Sequence, residues 1–153
     1  MATQRPEHVA EATSREHQTL VQALRALEDA LASPATGREV VWKRRVSRNL
    51  AVVVGSLQDH CESAEGPEGL IVQVQRSIGR PHELSAAMRE HQILARDAVD
   101  FLAALADHVE DERPAVADVR QRAAGLSNAL RQHQAREADL LMQAMQRDIG
   151  VGD

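Results

Sequence analysis

Arg15-Glu16-His17-Gln18-Thr19-Leu20 returns later in the chain as Arg89-Glu90-His91-Gln92-Ile93-Leu94. The echo extends beyond these six positions, because His60 follows His17 by 43 residues and His133 follows His91 by 42. Two helical hairpins assembled about a pseudo-twofold axis produce such spacing. A site shared between the halves is then expected at the centre.

Working outward from the two copies, helix breakers divide the chain at Ser33-Pro34 with Gly37, at Gly66-Pro67, at Gly79-Arg80-Pro81 and at Glu112-Arg113-Pro114. The periodic segments between them predict four long helices near 9–32, 39–64, 82–110 and 114–147. A short extra helix, from about Pro67 to Ser77, bridges the second and third. Composition agrees: Trp42 and Phe101 are the only aromatics besides histidine, tyrosine is absent, and Ala, Leu, Arg, Gln and Glu are good helix formers and poor strand formers. With 153 residues, 43% of them apolar, the chain can close one sizeable core, so a single domain over 1–153 is expected. Short connections between long helices favour an all-α, up-down-up-down four-helix bundle.

Each long segment carries a stripe in alternating steps of three and four, the spacing that faces a bundle interior. The stripes read His17, Leu20, Leu24, Leu27, Leu31; then Val46, Leu50, Val53, Leu57, His60; then Leu84, Met88, His91, Ala95, Ala98, Leu102, Leu105; and last Val119, Ala123, Leu126, Leu130, His133, Glu137, Leu140. A histidine sits on every one. A lone histidine on an apolar stripe is more often a hydrogen-bonded core residue than a ligand. Four together weigh differently, since with about two interior positions in seven the chance of all four landing there is under about 1%. Height along the bundle agrees for the second pair, where His91 lies 18 residues before Val109 and His133 lies 19 after Pro114. For the first pair the counts are 15 from His17 to Ala32 and 21 from Glu39 to His60, which match only if the second helix effectively begins a turn later.

Imidazoles converging in a bundle core suit a transition metal, and carboxylates projecting from the helices bridge and balance its charge. His133 and Glu137, at i and i+4 on one face, have the spacing of adjacent ligands. In the first half the equivalent position is Ala64, and Glu65 stands one residue further. Pro67 disturbs the helix upstream of it, and a wide turn of the π type there would bring Glu65 onto the stripe. Glu65 is the expected second carboxylate, ahead of Glu62 and Glu68; alternatively this half supplies histidine alone.

The ordered set Glu16-His17-x-x-Leu20, Leu57-x-x-His60 with an acidic stretch after it, Glu90-His91-x-x-Leu94 and His133-x-x-x-Glu137-x-x-Leu140-Leu141 resembles the hemerythrin-like family, the HHE cation-binding domain, over most of the chain. The resemblance implies iron, two ions per chain, held by His17, His60, His91, His133, Glu137 and Glu65. Two departures bear on it: Ala87 and Ala95 occupy the places where oxygen carriers of this family have a further histidine, and Ala64 replaces a usual carboxylate. Such a site is asymmetric, partly water-filled or mononuclear, with an open position of the kind that oxygen, peroxide or nitric oxide needs. The implied function is a non-haem di-iron protein that binds or reacts with a small diatomic or peroxide, in sensing, storage or redox detoxification. Alternatives are an oxidase or oxygenase acting on an organic substrate, for which Ala64, Ala95 and Ala98 leave room, and a metal-free or zinc-holding helical module that binds a partner.

Charge narrows the partners. Net charge is −5 with both signs scattered, so no basic face marks a nucleic-acid binder. The apolar run Leu50 to Leu57 is far shorter than the roughly 20 residues of a membrane span, and no apolar leader follows a charged start. The single cysteine, Cys61, excludes an internal disulfide and agrees with a reducing compartment. A soluble cytoplasmic protein is expected, with neither nucleic acid nor membrane as partner. Elsewhere, His8, His82 and His108 read as solvated or capping residues, Cys61 as packing, Met142 and Met145 as core or rim filler, and Lys43-Arg44-Arg45 as a solvated basic patch. Gln18, Gln92 and Gln134, about 100° off the stripes, read as solvated neighbours.

Overall fold

The computed structural model describes residues 6–150. Its helices are α1 (Pro6–Ala32), α2 (Glu39–Glu65), α3 (Leu70–Ser77), α4 (Pro81–Ala106) and α5 (Val116–Gly150), with no strand among the described residues. The four long helices pack as a ring in the order α1, α2, α4, α5, and the short α3 touches all four. None of the helices is long and apolar enough to cross a membrane.

Among the boundaries that differ from the sequence reading, two have a clear local reason. Gly66 ends α2, its N–H bonding back to Ser63 O, and Gly69 N–H bonds to Gly66 O, so residues 66–69 form a turn and α3 begins only at Leu70. Helix α4 stops at Ala106 instead of reaching residue 110. Beyond it the backbone turns, and Lys43 Nζ donates to Asp111 O at 2.7 Å and reaches His108 O at 3.5 Å. Lys43 is therefore no part of a solvated patch: it is 2% exposed. Its aliphatic stem is buried while its ammonium reaches backbone carbonyls just past a helix end.

Two apolar clusters fill the bundle. The larger runs from Leu20 to Ala30 on α1, Trp42 to Leu57 on α2, Leu94 to Leu105 on α4 and Val119 to Leu130 on α5. The smaller contains Val9, Ala64, Leu70, Val74, Leu84, Leu141 and Ala144. Each long helix crosses from one cluster to the other, and the order of crossing shows that their directions alternate up and down. Helix α3 closes the end occupied by the smaller cluster.

On α4 the buried stripe is Leu84, Ala87, His91, Leu94, Ala98, Phe101, Leu105. Met88, expected inside, is 40% exposed, and Ala95 and Leu102 are half-buried. Every seventh position is common to both readings. The helix is rolled so that the larger Leu94 and Phe101 enter the core in place of Ala95 and Leu102.

Closure by α3 depends on Gly69. A Cβ there would lie 2.2 Å from Ser63 O and 2.5 Å from Ala64 O, backbone atoms that cannot rotate away. Gly69→Ala should therefore push α3 off the end of α2 and lower stability by about 1–3 kcal/mol; an unchanged thermal midpoint would show that the turn accommodates a side chain.

Candidate metal centre

Between the two clusters lies one polar layer. Helix α1 supplies His17, α2 His60, α4 His91, and α5 both His133 and Glu137. One turn from each histidine, toward the larger cluster, stands a leucine: Leu20, Leu57, Leu94 and Leu130. The six-residue difference in count between His17 and His60 does not separate them, since their ring centroids are 5.2 Å apart. About 9 Å of α2 therefore extends beyond the end of α1, the offset that the counts required.

Glu137 is the centre of the layer, with 0% exposure. His60 Nε2 contacts its two oxygens at 2.8 and 3.0 Å. His133 Nε2 lies 2.5 Å from Oε1 without the alignment of a hydrogen bond. His17 Nε2 stands 3.7 Å from Oε1 and His91 Nε2 3.6 Å from Oε2. Ligand atoms of His60, His91, His133 and Glu137 all fall within 4.8 Å of one another, close enough to share a metal ion. His17 borders this group, and its side chain is 15% exposed.

Glu65 is not brought into the group. Helix α2 stays α-helical to its end, with no wide turn, so Ala64 keeps the interior position at 2% exposure. The Glu65 carboxylate is 3.7 Å from His91 Nδ1, on the side of the ring that faces away from Glu137.

Two carboxylates outside the expected ligand set, Glu16 and Glu90, take part instead. His60 Nδ1 donates to Glu16 Oε2 at 2.9 Å, and His133 Nδ1 donates to Glu90 Oε1 at 2.7 Å. Ser63 Oγ donates to the other oxygen of Glu16 at 2.5 Å, and Arg136 donates to Glu90. The signal was present in the repeat, as the glutamate preceding a histidine in both copies. Gln134 was also misread as solvated: it is 8% exposed and donates to the His17 carbonyl at 3.2 Å. With Arg120 and Ser127 it forms a seven-residue ladder on α5 facing α1, where Arg120 reaches Leu31 O and Ser33 O and Ser127 reaches Glu28.

The electrostatics follow from burial and proximity. Burial opposes charge on Glu137, but the imidazoles of His133, His17, His60 and His91 outweigh it and hold the carboxyl well below the usual range. Burial likewise disfavours a charged His60, yet Glu137 and Glu16 raise its pKa to about 9. Glu16 and Glu90 are lowered against their own burial, by His60 and Ser63 and by Arg136 and His133 respectively. Cys61, half-buried against the core, is pushed up to about 12 by burial and by Glu65 and Glu137, so it remains a thiol and offers no thiolate. His8, His82 and His108 are exposed.

The donor set fits a metal. His17 Nε2, both nitrogens of His91 and His133 Nε2 are buried without a hydrogen-bond partner, a condition that costs about 1–3 kcal/mol per group unless something binds there. Imidazole with carboxylate suits iron, zinc, copper or nickel. Two openings reach the layer. A cavity of about 250 Å³ between α4 and α5 is lined by Ala87, Glu90, His133, Arg136 and Glu137. A groove of about 640 Å³ between α1 and α5 meets His17 beside Val21, Leu141, Met142 and Met145. Met142 is 59% exposed, on the rim. Comparison with protein-family models, curated proteins and solved structures finds no match to this chain.

The raised His60 pKa sets a pH response for the metal-free chain. Its folded value of about 9 exceeds the ordinary 6.5, so its stabilisation is complete below pH 6.5 and is lost as pH rises through 9. The lowered Glu137 acts oppositely, contributing above the ordinary 4.5 and losing its contribution as pH falls. Melting temperature should thus decline from pH 6.5 to pH 9.5, by an equivalent of up to about 3 kcal/mol. His60→Gln should flatten that limb, and a wild-type melting point constant across the interval would contradict the assignment.

Proposed function

We propose that the layer is a non-haem iron centre that binds a small oxygen or nitrogen species, namely dioxygen, peroxide or nitric oxide, in sensing, storage or detoxification. The observation that carries this reading is the convergence of four histidines on one fully buried carboxylate, with four of their nitrogens buried and unpartnered. His17, His60, His91, His133 and Glu137 would hold the iron. This extends the resemblance to hemerythrin-like proteins.

Iron would supply electrons to the bound species and a cationic site to hold it. The remaining work belongs to the chain. Leu20, Leu57, Leu94 and Leu130 wall one side of the layer and Leu84 and Leu141 stand in the cluster on the other, excluding water and keeping the imidazoles in register. Ala87 leaves the 250 Å³ cavity open against His133 and Glu137, below the roughly 300–1,000 Å³ of sites for drug-sized molecules and with ample room for a diatomic or a peroxide.

A second reading, oxidation of an organic substrate, has one observation in its favour: the apolar 640 Å³ groove that ends on His17. Substrate-dependent oxygen consumption, lost when Met142→Asp charges the groove, would separate it from the first.

The deciding measurement is metal content with an optical spectrum, on protein expressed in iron-supplemented medium beside His60→Ala and His133→Ala. About two irons per chain, near-ultraviolet charge-transfer bands and loss of both in the variants are expected. Stoichiometric zinc in place of iron, or no metal with unchanged helicity in the variants, would instead point to a helical interaction module.

A further inference from the structure

We propose that Glu16 and Glu90 are the positioning residues of this centre, each accepting the Nδ1–H of a histidine on the neighbouring helix and thereby presenting that ring's Nε2 to the metal. The inference rests on the metal-centre reading above and assigns to these two residues the control of its affinity.

The geometry is repeated in the two halves. Glu16 of α1 holds His60 of α2 at 2.9 Å, and Glu90 of α4 holds His133 of α5 at 2.7 Å. In both cases the opposite nitrogen, Nε2, lies against Glu137. A neutral imidazole has one protonated and one bare nitrogen, so committing Nδ1–H to a carboxylate leaves the lone pair on Nε2 and fixes the plane of the ring. Adjacent residues on a helix point about 100° apart. Each Glu-His dipeptide therefore directs its histidine into the layer while its glutamate reaches sideways to the next helix, and two residues serve two rings.

The two supports differ in what holds them. Glu16 is anchored by the neutral Ser63 hydroxyl, Glu90 by the Arg136 guanidinium. A carboxylate whose charge is shared with a guanidinium is a weaker acceptor, so His60 is polarised more strongly than His133. Loss of Glu16 should consequently weaken the centre more than loss of Glu90. Glu65, at 3.7 Å from His91 Nδ1, makes no such bond, and that nitrogen has no partner.

The test uses the full chain with Zn(II) as the probe, comparing wild type, Glu16→Gln, Glu90→Gln and Asp59→Asn, an exposed carboxylate beside His60 whose removal controls for charge alone. In the zinc-loaded wild type, nuclear magnetic resonance should show two strongly downfield Nδ1–H protons. Each glutamine variant, whose neutral amide oxygen is the weaker acceptor, should move one of them upfield and bind Zn(II) about 10- to 100-fold more weakly, with the larger loss for Glu16→Gln, unchanged helicity, and Asp59→Asn within about twofold of wild type. Should a glutamine variant fail to fold, Glu16→Asp and Glu90→Asp, which keep the charge but withdraw the acceptor, should show the same change in smaller measure. Zinc affinities of both glutamine variants within twofold of wild type, or downfield protons that do not move, would overturn the positioning role while leaving the metal centre standing. A wild-type chain that takes up neither Zn(II) nor Fe(II) would overturn both.

Discussion

A carboxylate with no exposed surface at the middle of a helical bundle is the constraint around which this molecule is arranged. An isolated buried charge costs several kcal/mol even after relaxation, so Glu137 is tenable only inside a shell that returns comparable energy. The four histidines are that shell, and none of them is available by accident, because each helix must hold its ring at the same height. In the metal-free chain, part of the balancing charge resides on His60, clamped between Glu137 and Glu16.

The layer has to be walled on both sides. Above it the larger cluster supplies a leucine one turn from every histidine; below it the smaller cluster, closed by Leu70 and Val74 of α3, seals the end of the bundle. Removing either wall would admit water and weaken every contact to Glu137. The α3 cap is possible only because Gly69 brings the chain against the backbone of Ser63 and Ala64. Those residues follow His60 within a turn, so end closure and ligand placement are parts of one local arrangement.

The repeated Glu-His pattern accounts for the plan, and the differences between the halves for the details. His60 and His133 correspond, but four residues on, one half has Ala64 and the other Glu137. One carboxylate therefore serves all four rings. Likewise Glu16 and Glu90 correspond, yet their anchors, Ser63 and Arg136, differ in charge. Glu65 stays outside the layer because α2 is regular to its end and the chain turns only after Gly66, so no wide turn absorbs its one-residue offset.

Helix number, approximate boundaries, the four histidines and Glu137 were determined by the sequence alone, because periodicity and breakers are local properties and the interior stripe follows from steps of three and four. Which flank of a stripe faces inward was not, as Met88 and Ala87 on α4 show, since that depends on how the helix rolls against its neighbours. The burial of Lys43, the contact of Gln134 with the His17 backbone, and the hydrogen bonds of Glu16 and Glu90 were decided by tertiary structure for the same reason. Each joins residues on different elements of the bundle, and the distance between two elements at a given height is set by the packing of the whole, which no single segment encodes.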